Sequence, residues 1–184
     1  MTLDPALCAT LRAALALLLL ATARAKLRDR AGFRAALADY ELLPPRAEGA
    51  AAAFLVAAEV GIGVGLLAPQ TGRGASLAAG GLLALYAGAM AANLLRGRRH
   101  IDCGCGGATG GRPLGAELVA RNALLTGAAA LAALRVSGRP LVWLDAITVA
   151  AGLAACALLY TGADRALASA ARLRAVREGS WSTP

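Results

Sequence analysis

Aromatic side chains make up only 4% of these 184 residues and charged ones only 16%. A soluble domain carries roughly 25% charged residues and breaks its apolar stretches with them, so a soluble globular fold is excluded. Scarce aromatics also remove the stacking platforms of a nucleic-acid binder, so the excess of 19 basic over 11 acidic side chains does not point to nucleic acid. There is one histidine and there are four cysteines, none of them between residues 26 and 48. A relay between two thiol pairs within this one chain is therefore incomplete. What fills the chain is apolar, at 58% hydrophobic residues and a mean hydropathy of +0.60. That composition belongs to an integral membrane protein.

Apolar runs lie at about 6–25, 49–68, 74–95, 118–136 and 142–162. Each is long enough to cross a hydrocarbon core of about 30 Å at 1.5 Å per residue. The expected fold is an all-α, polytopic membrane helix bundle of four to five transmembrane helices. The lower count applies because Arg121, Asn122 and Arg135 leave the run 118–136 a short apolar centre. The bundle occupies 1–165 and a basic tail 166–184. Small residues recur in Ala57-xxx-Gly61-xxx-Gly65 and in Gly80-xxx-Ala84-xxx-Gly88-xxx-Ala92, which predicts that the second and third spans pack on each other. The stretch Ala13 to Ala23, followed by Arg24 and Ala25, has the look of a cleavable leader. Lys26, Arg28 and Arg30 directly after it oppose translocation, so the first span is expected to be retained.

With five spans, Lys26, Arg28, Arg30, Arg34, Arg46, Arg96, Arg98, Arg99, Arg112 and the tail arginines share one side, against Arg73 and Arg139, with Arg12 or Arg135 at most, on the other. By the positive-inside rule the rich side is cytoplasmic, with the N-terminus outside, in a bacterial inner or plasma membrane. The first loop has a pattern of its own. Phe33, Leu37 and Tyr40 fall at i, i+4 and i+7, which predicts an amphipathic interfacial helix, and Pro44 and Pro45 end it. Glu59 stands near the middle of the second span, where a carboxylate costs at least about 2.5–3.5 kcal/mol. It must face the bundle interior, either as a functional intramembrane carboxylate or hydrogen-bonded to Asn93 or to Arg121 and Asn122.

The segment Arg98-Arg99-His100-Ile101-Asp102-Cys103-Gly104-Cys105-Gly106-Gly107 sets two thiols one residue apart in a polar loop. Gly104 gives that loop backbone freedom, and the neighbouring arginines favour thiolate over thiol. A bridge within so tight a ring is strained and easily reduced. Cys103 and Cys105 are thus a candidate redox pair. Soft thiolates beside an imidazole also suit Cu(I) or Zn(II), so His100, Cys103 and Cys105 are an alternative metal set. A third reading is a scaffold whose thiols are dispensable.

Lys26, then Phe33-xxx-Leu37-xx-Tyr40-x-Leu42-Leu43-Pro44, then Glu59 with Gly61-Ile-Gly-Val-Gly65-Leu-Leu67, then Arg96-Gly97, Asp102-Cys103-Gly104-Cys105 and Arg121-Asn122 follow in an order that resembles the MauE family of methylamine-utilisation membrane proteins, relatives of the DoxX-like proteins. The resemblance runs over about residues 12–125. The family's thiol motif reads Cys-Gly-Cys-Phe-Gly, and Gly106 stands here in place of the aromatic. The resemblance implies a four- or five-helix protein of redox biogenesis, assisting maturation, processing or export of the disulfide-rich small subunit of methylamine dehydrogenase beside a thioredoxin-like partner. It implies Cys103 and Cys105 as the redox pair, with Tyr40, Glu59 and Arg121 lining one bundle. Maturation of an exported client needs thiols on the outer face, opposite to the charge reading, and both orientations remain open. No cofactor is required by the sequence, and a quinone is one candidate electron acceptor.

Overall fold

The computed structural model describes residues 2–98, 101, 114–140 and 142–180. Its elements, in chain order, are β1 (Thr2–Leu3), α1 (Pro5–Arg28), α2 (Arg30–Asp39), α3 (Pro45–Leu67), α4 (Gly72–Leu95), α5 (Ala116–Ala132), β2 (Arg135–Val136) and α6 (Trp143–Ser180). The two short strands pair in parallel, Thr2 with Arg135 and Leu3 with Val136, and are the single departure from an all-α chain among the described residues. Helices α1, α3, α4 and the segment Trp143–Ala163 of α6 are long and apolar enough to cross a membrane. The protein is a polytopic membrane helix bundle.

Local sequence explains the helix ends. Asp4 caps α1, its carboxylate accepting the Ala6 amide at 2.9 Å, while Pro5 supplies a preset first turn. Asp29 repeats the device for α2 through the Gly32 amide. Pro45 starts α3. At the end of α4, Gly97 adopts φ +77, its amide donates to the Leu94 carbonyl, and the Arg98 amide donates to Asn93, both at 3.0 Å. This left-handed closure takes up carbonyls that the helix leaves open.

The helices run antiparallel in two main pairings. Gly63 of α3 faces Leu20 and Ala16 of α1, and Gly80 of α4 faces Ala129 of α5. The central core joins Leu15, Ala16 and Leu19 of α1 with Leu66, Ala79, Leu82, Leu83, Ala129 and Ala132. The small-residue stripes therefore do not zip α3 and α4 together along their length. These two helices meet closely at Gly65 and Ala75, while a Cβ built on Gly61 or Gly88 touches nothing within 4 Å. Gly63, outside the stripe, makes the tighter approach instead, because the buried side of α3 carries Ala52, Glu59, Gly63 and Leu66.

Helix α5 has 17 residues, the shortest of the helices beside α2. It is nevertheless held at its C-terminal end. Arg12 of α1 donates from Nε and Nη2 to the Ala132 carbonyl at 3.2 and 3.1 Å, a cation placed where the α5 dipole is negative. Beyond it, Arg139 bridges Asp4 and Asp145, tying the start of α1 to the start of α6. Helix α6 then continues without a break past residue 165, so the basic tail carries on as helix to Ser180.

Candidate functional site

Glu59 is 1% exposed and Lys26 is 5% exposed, and the two form a buried ion pair across α1 and α3. Tyr86 of α4 completes a triangle: its hydroxyl donates to Glu59 Oε1 at 2.9 Å and accepts from Lys26 Nζ at 3.2 Å. The expected partners of Glu59 are corrected here. Asn93 instead donates to the Ala89 carbonyl within its own helix, Asn122 does the same to Leu118, and the Arg121 guanidinium lies over the Tyr160 ring of α6 at 5.8 Å. The sequence shows Lys26 as a loop charge at the head of the family pattern, after a span that closes near residue 25, and not as the partner of Glu59. In the structure α1 runs to Arg28, and Lys26 continues the buried line Leu15, Leu19, Ala23. The spacing of 4, 4 and 3 between those positions was the signal that could have found it.

Lys26 and Tyr86 of the triangle form the polar floor of an apolar cavity of about 310 Å³, and Glu59 stands outside its lining. Phe33, Leu37 and Tyr40 of the first-loop segment form one wall, so the amphipathic helix is present and turns its apolar stripe over this space. Phe54 and Leu55 of α3 and Met90 of α4 form the others. Lys26 Nζ lies 4.7 Å from the ring centroids of both Phe33 and Tyr86, close enough for the ring faces to favour its charge. Glu59 Oε2 is buried with no hydrogen-bond partner among the described residues.

Tyr40 and Met90 belong at the same time to a second core, with Ile101, Leu114 and Leu118. The Leu114 amide donates to the Ile101 carbonyl at 3.2 Å. Cys103, Cys105, His100 and Asp102 lie outside the described residues. Among the described residues, no group of three or more His, Cys, Asp or Glu side chains comes together to hold a metal ion. Of the other cysteines, Cys8 is buried against the Ala132 carbonyl at 3.6 Å, at the opposite end of α1 from Lys26, and Cys156 is half-buried on α6. Arg98 pairs with Glu41 and donates to the Asp39 carbonyl at 3.4 Å.

Residues 4–135 match the family model described as methylamine utilisation protein MauE. The chain belongs to the MauE family. It is 38% identical over 138 residues to methylamine utilization protein MauE of Paracoccus denitrificans, covering 75% of this chain and 73% of that one. Against the Paracoccus versutus protein of the same name the figure is 37% over 138 residues, with 74% of each chain covered. The Methylorubrum extorquens counterpart is 36% identical over 149 residues, 81% of this chain and 75% of its own. No solved structure matches. The family match encloses α1 to α5, and so includes every residue of the Lys26–Glu59–Tyr86 triangle and every wall of the cavity.

Proposed function

We propose that this protein is a membrane accessory factor for thiol-redox biogenesis in methylamine utilisation, assisting disulfide formation, maturation or export of a partner protein. The relatives it matches are named for methylamine utilisation, and a disulfide-rich subunit of the dehydrogenase type is the client this reading favours. Cys103 and Cys105 are the redox pair. Their disulfide accepts two electrons and two protons from a client dithiol, which leaves the client oxidised and the pair reduced. A thioredoxin-like protein is the exchange partner, because the described part of the chain offers only Cys8 and Cys156, neither placed with the other or with the cavity. A ring closed across one intervening residue is strained, which makes such a disulfide a good oxidant.

The observation that carries this reading is the placement of Ile101. Two residues before Cys103 in the sequence, it is buried against Tyr40 and Met90, which also wall the cavity over the buried charge pair. Trapping tests it. One of Cys103→Ser and Cys105→Ser should accumulate a mixed disulfide with a thioredoxin-like protein in cells, because its remaining sulfur can be attacked but not resolved by its neighbour. Full client maturation with both variants would refute the redox pair. Loss of bound metal in His100→Ala and in both Ser variants, with no mixed disulfide, would replace it with the metal reading.

A further inference from the structure

The floor of the cavity presents a donor that its own surroundings do not use. A lysine ammonium has three N–H groups. Glu59 and Tyr86 take two from Lys26, and among the described residues the third meets only ring faces. The charge is already balanced by Glu59, so an anionic ligand would be repelled by the carboxylate as strongly as it is drawn by the ammonium. A neutral acceptor oxygen is what completes the site. The walls are carbon and aromatic, and the rim residues Leu42, Leu43, Phe54 and Leu85 are all exposed apolar side chains, so the opening faces the acyl region and admits a molecule from the bilayer. A volume of about 310 Å³ lies at the small end of ligand pockets and holds one substituted ring while excluding a long tail.

We infer that this cavity binds the headgroup of a membrane quinone, with one ring carbonyl accepting from Lys26 and the ring lying among Phe33, Tyr40, Tyr86 and Met90. The tail leaves over Leu43 and Phe54 into lipid. An acyl chain would fill the same walls but leave the Lys26 donor without an acceptor, which disfavours it. The role of this quinone rests on the thiol-redox reading above. There it re-oxidises the cysteine pair, each thiol giving one electron and one proton, so that quinone becomes quinol and the dithiol becomes disulfide.

Photolabelling of the full chain in lipid nanodiscs, using an azidobenzoquinone with a decyl tail, tests the binding. Label should map to α2 and α3, be displaced by decylbenzoquinone and survive decylbenzene, which has the ring and tail without the carbonyls. Ala51→Trp, which fills the cavity, should reduce labelling at least about tenfold. Lys26→Met/Glu59→Gln, which removes the donor and leaves no orphan charge, should do the same with helicity unchanged. Equal labelling in either folded variant, or displacement by decylbenzene as effective as by the quinone, would refute the inference. Comparison with the single variants Cys103→Ser and Cys105→Ser, each of which keeps one sulfur to be trapped, separates the two claims. Quinone-displaceable labelling of the full chain with no mixed disulfide in either single variant supports the quinone site and sinks the thiol-redox reading, whereas a mixed disulfide in one of them with no labelling sinks the quinone site alone.

Discussion

Glu59→Ala should strip the Lys26 ammonium of its counter-ion while leaving it buried. Breaking a buried pair from one side costs about 3–5 kcal/mol, because an uncompensated charge remains in low dielectric. Tyr86 loses its acceptor as well, so the upper half of that range is expected. In a chain of this length about 1 kcal/mol moves the unfolding midpoint by roughly 2–4 °C, which gives a fall of about 8–20 °C. Glu59→Gln should fall less, since the amide oxygen still accepts from both neighbours. The decisive variant is Lys26→Met/Glu59→Gln. With both charges gone the site is neutral, and the double change should cost far less than the two single changes added, a coupling on the order of 3 kcal/mol. Thermal unfolding of purified protein in one detergent at two salt concentrations provides the assay. The coupling should survive added salt, unlike that of the exposed Arg98–Glu41 pair, worth about 0–1 kcal/mol and screened. Additive single effects would show that Lys26 and Glu59 do not act as a buried pair.

Three further outcomes follow from packing, charge and topology. A Cβ on Gly63 would sit 2.9 Å from Leu20 Cγ, whereas one on Gly61 meets nothing, so Gly63→Val should destabilise by about 1–3 kcal/mol and Gly61→Ala should be near neutral, read by the same unfolding assay. Desolvation raises the Asp4 carboxyl, but the Ala6 amide and the Arg139 guanidinium outweigh it and hold the group below its ordinary value of 3.8. The stabilisation it gives is therefore complete above that pH and disappears as acid titrates the folded carboxylate, which hydrogen exchange at the Ser137 amide, bonded to the Leu3 carbonyl, should follow. In a cysteine-free background, Arg30→Cys should be shielded from an impermeant outer-face reagent while Gly74→Cys and Gly138→Cys, both in open space, are labelled; the reverse pattern would overturn the positive-inside orientation.

The helices were legible because the long hydrophobic runs and the Pro44-Pro45 break speak through local chemistry. Glu59 was legible as a residue out of place, and Phe33, Leu37 and Tyr40 as one face of a helix. What that face covers was not, because a stripe with helical spacing looks the same against lipid as against protein. The identity of Glu59's partners was hidden for a related reason. Lys26 lies at a span's end, where a basic residue ordinarily marks topology, and only its phase with Leu19 and Ala23 separates a buried lysine from a snorkelling one. Tyr86 gave no local warning, since a tyrosine in an apolar helix is ordinary until a carboxylate is found opposite. The stripes of Gly and Ala pointed to α3 and α4, which do pack on each other at Gly65 and Ala75, but not to the more extensive pairings with α1 and α5, because small residues permit close approach without choosing the partner.

The buried pair joins residues 33 positions apart, on helices that leave the ribosome in sequence. Lys26 emerges first and sits near an end of α1, where its long side chain can keep its ammonium at the headgroups while no partner exists. Glu59 has no such refuge, being near the centre of α3 and too short to reach either interface. Insertion of α3 is therefore coupled to an already placed α1: the carboxylate enters hydrocarbon together with its counter-ion, and α1 serves as an intramolecular docking guide for the helix that follows it. Shortening α1 at its C-terminal end, or delaying it relative to α3, would then be felt as a failure of membrane insertion before it was felt as a loss of any activity.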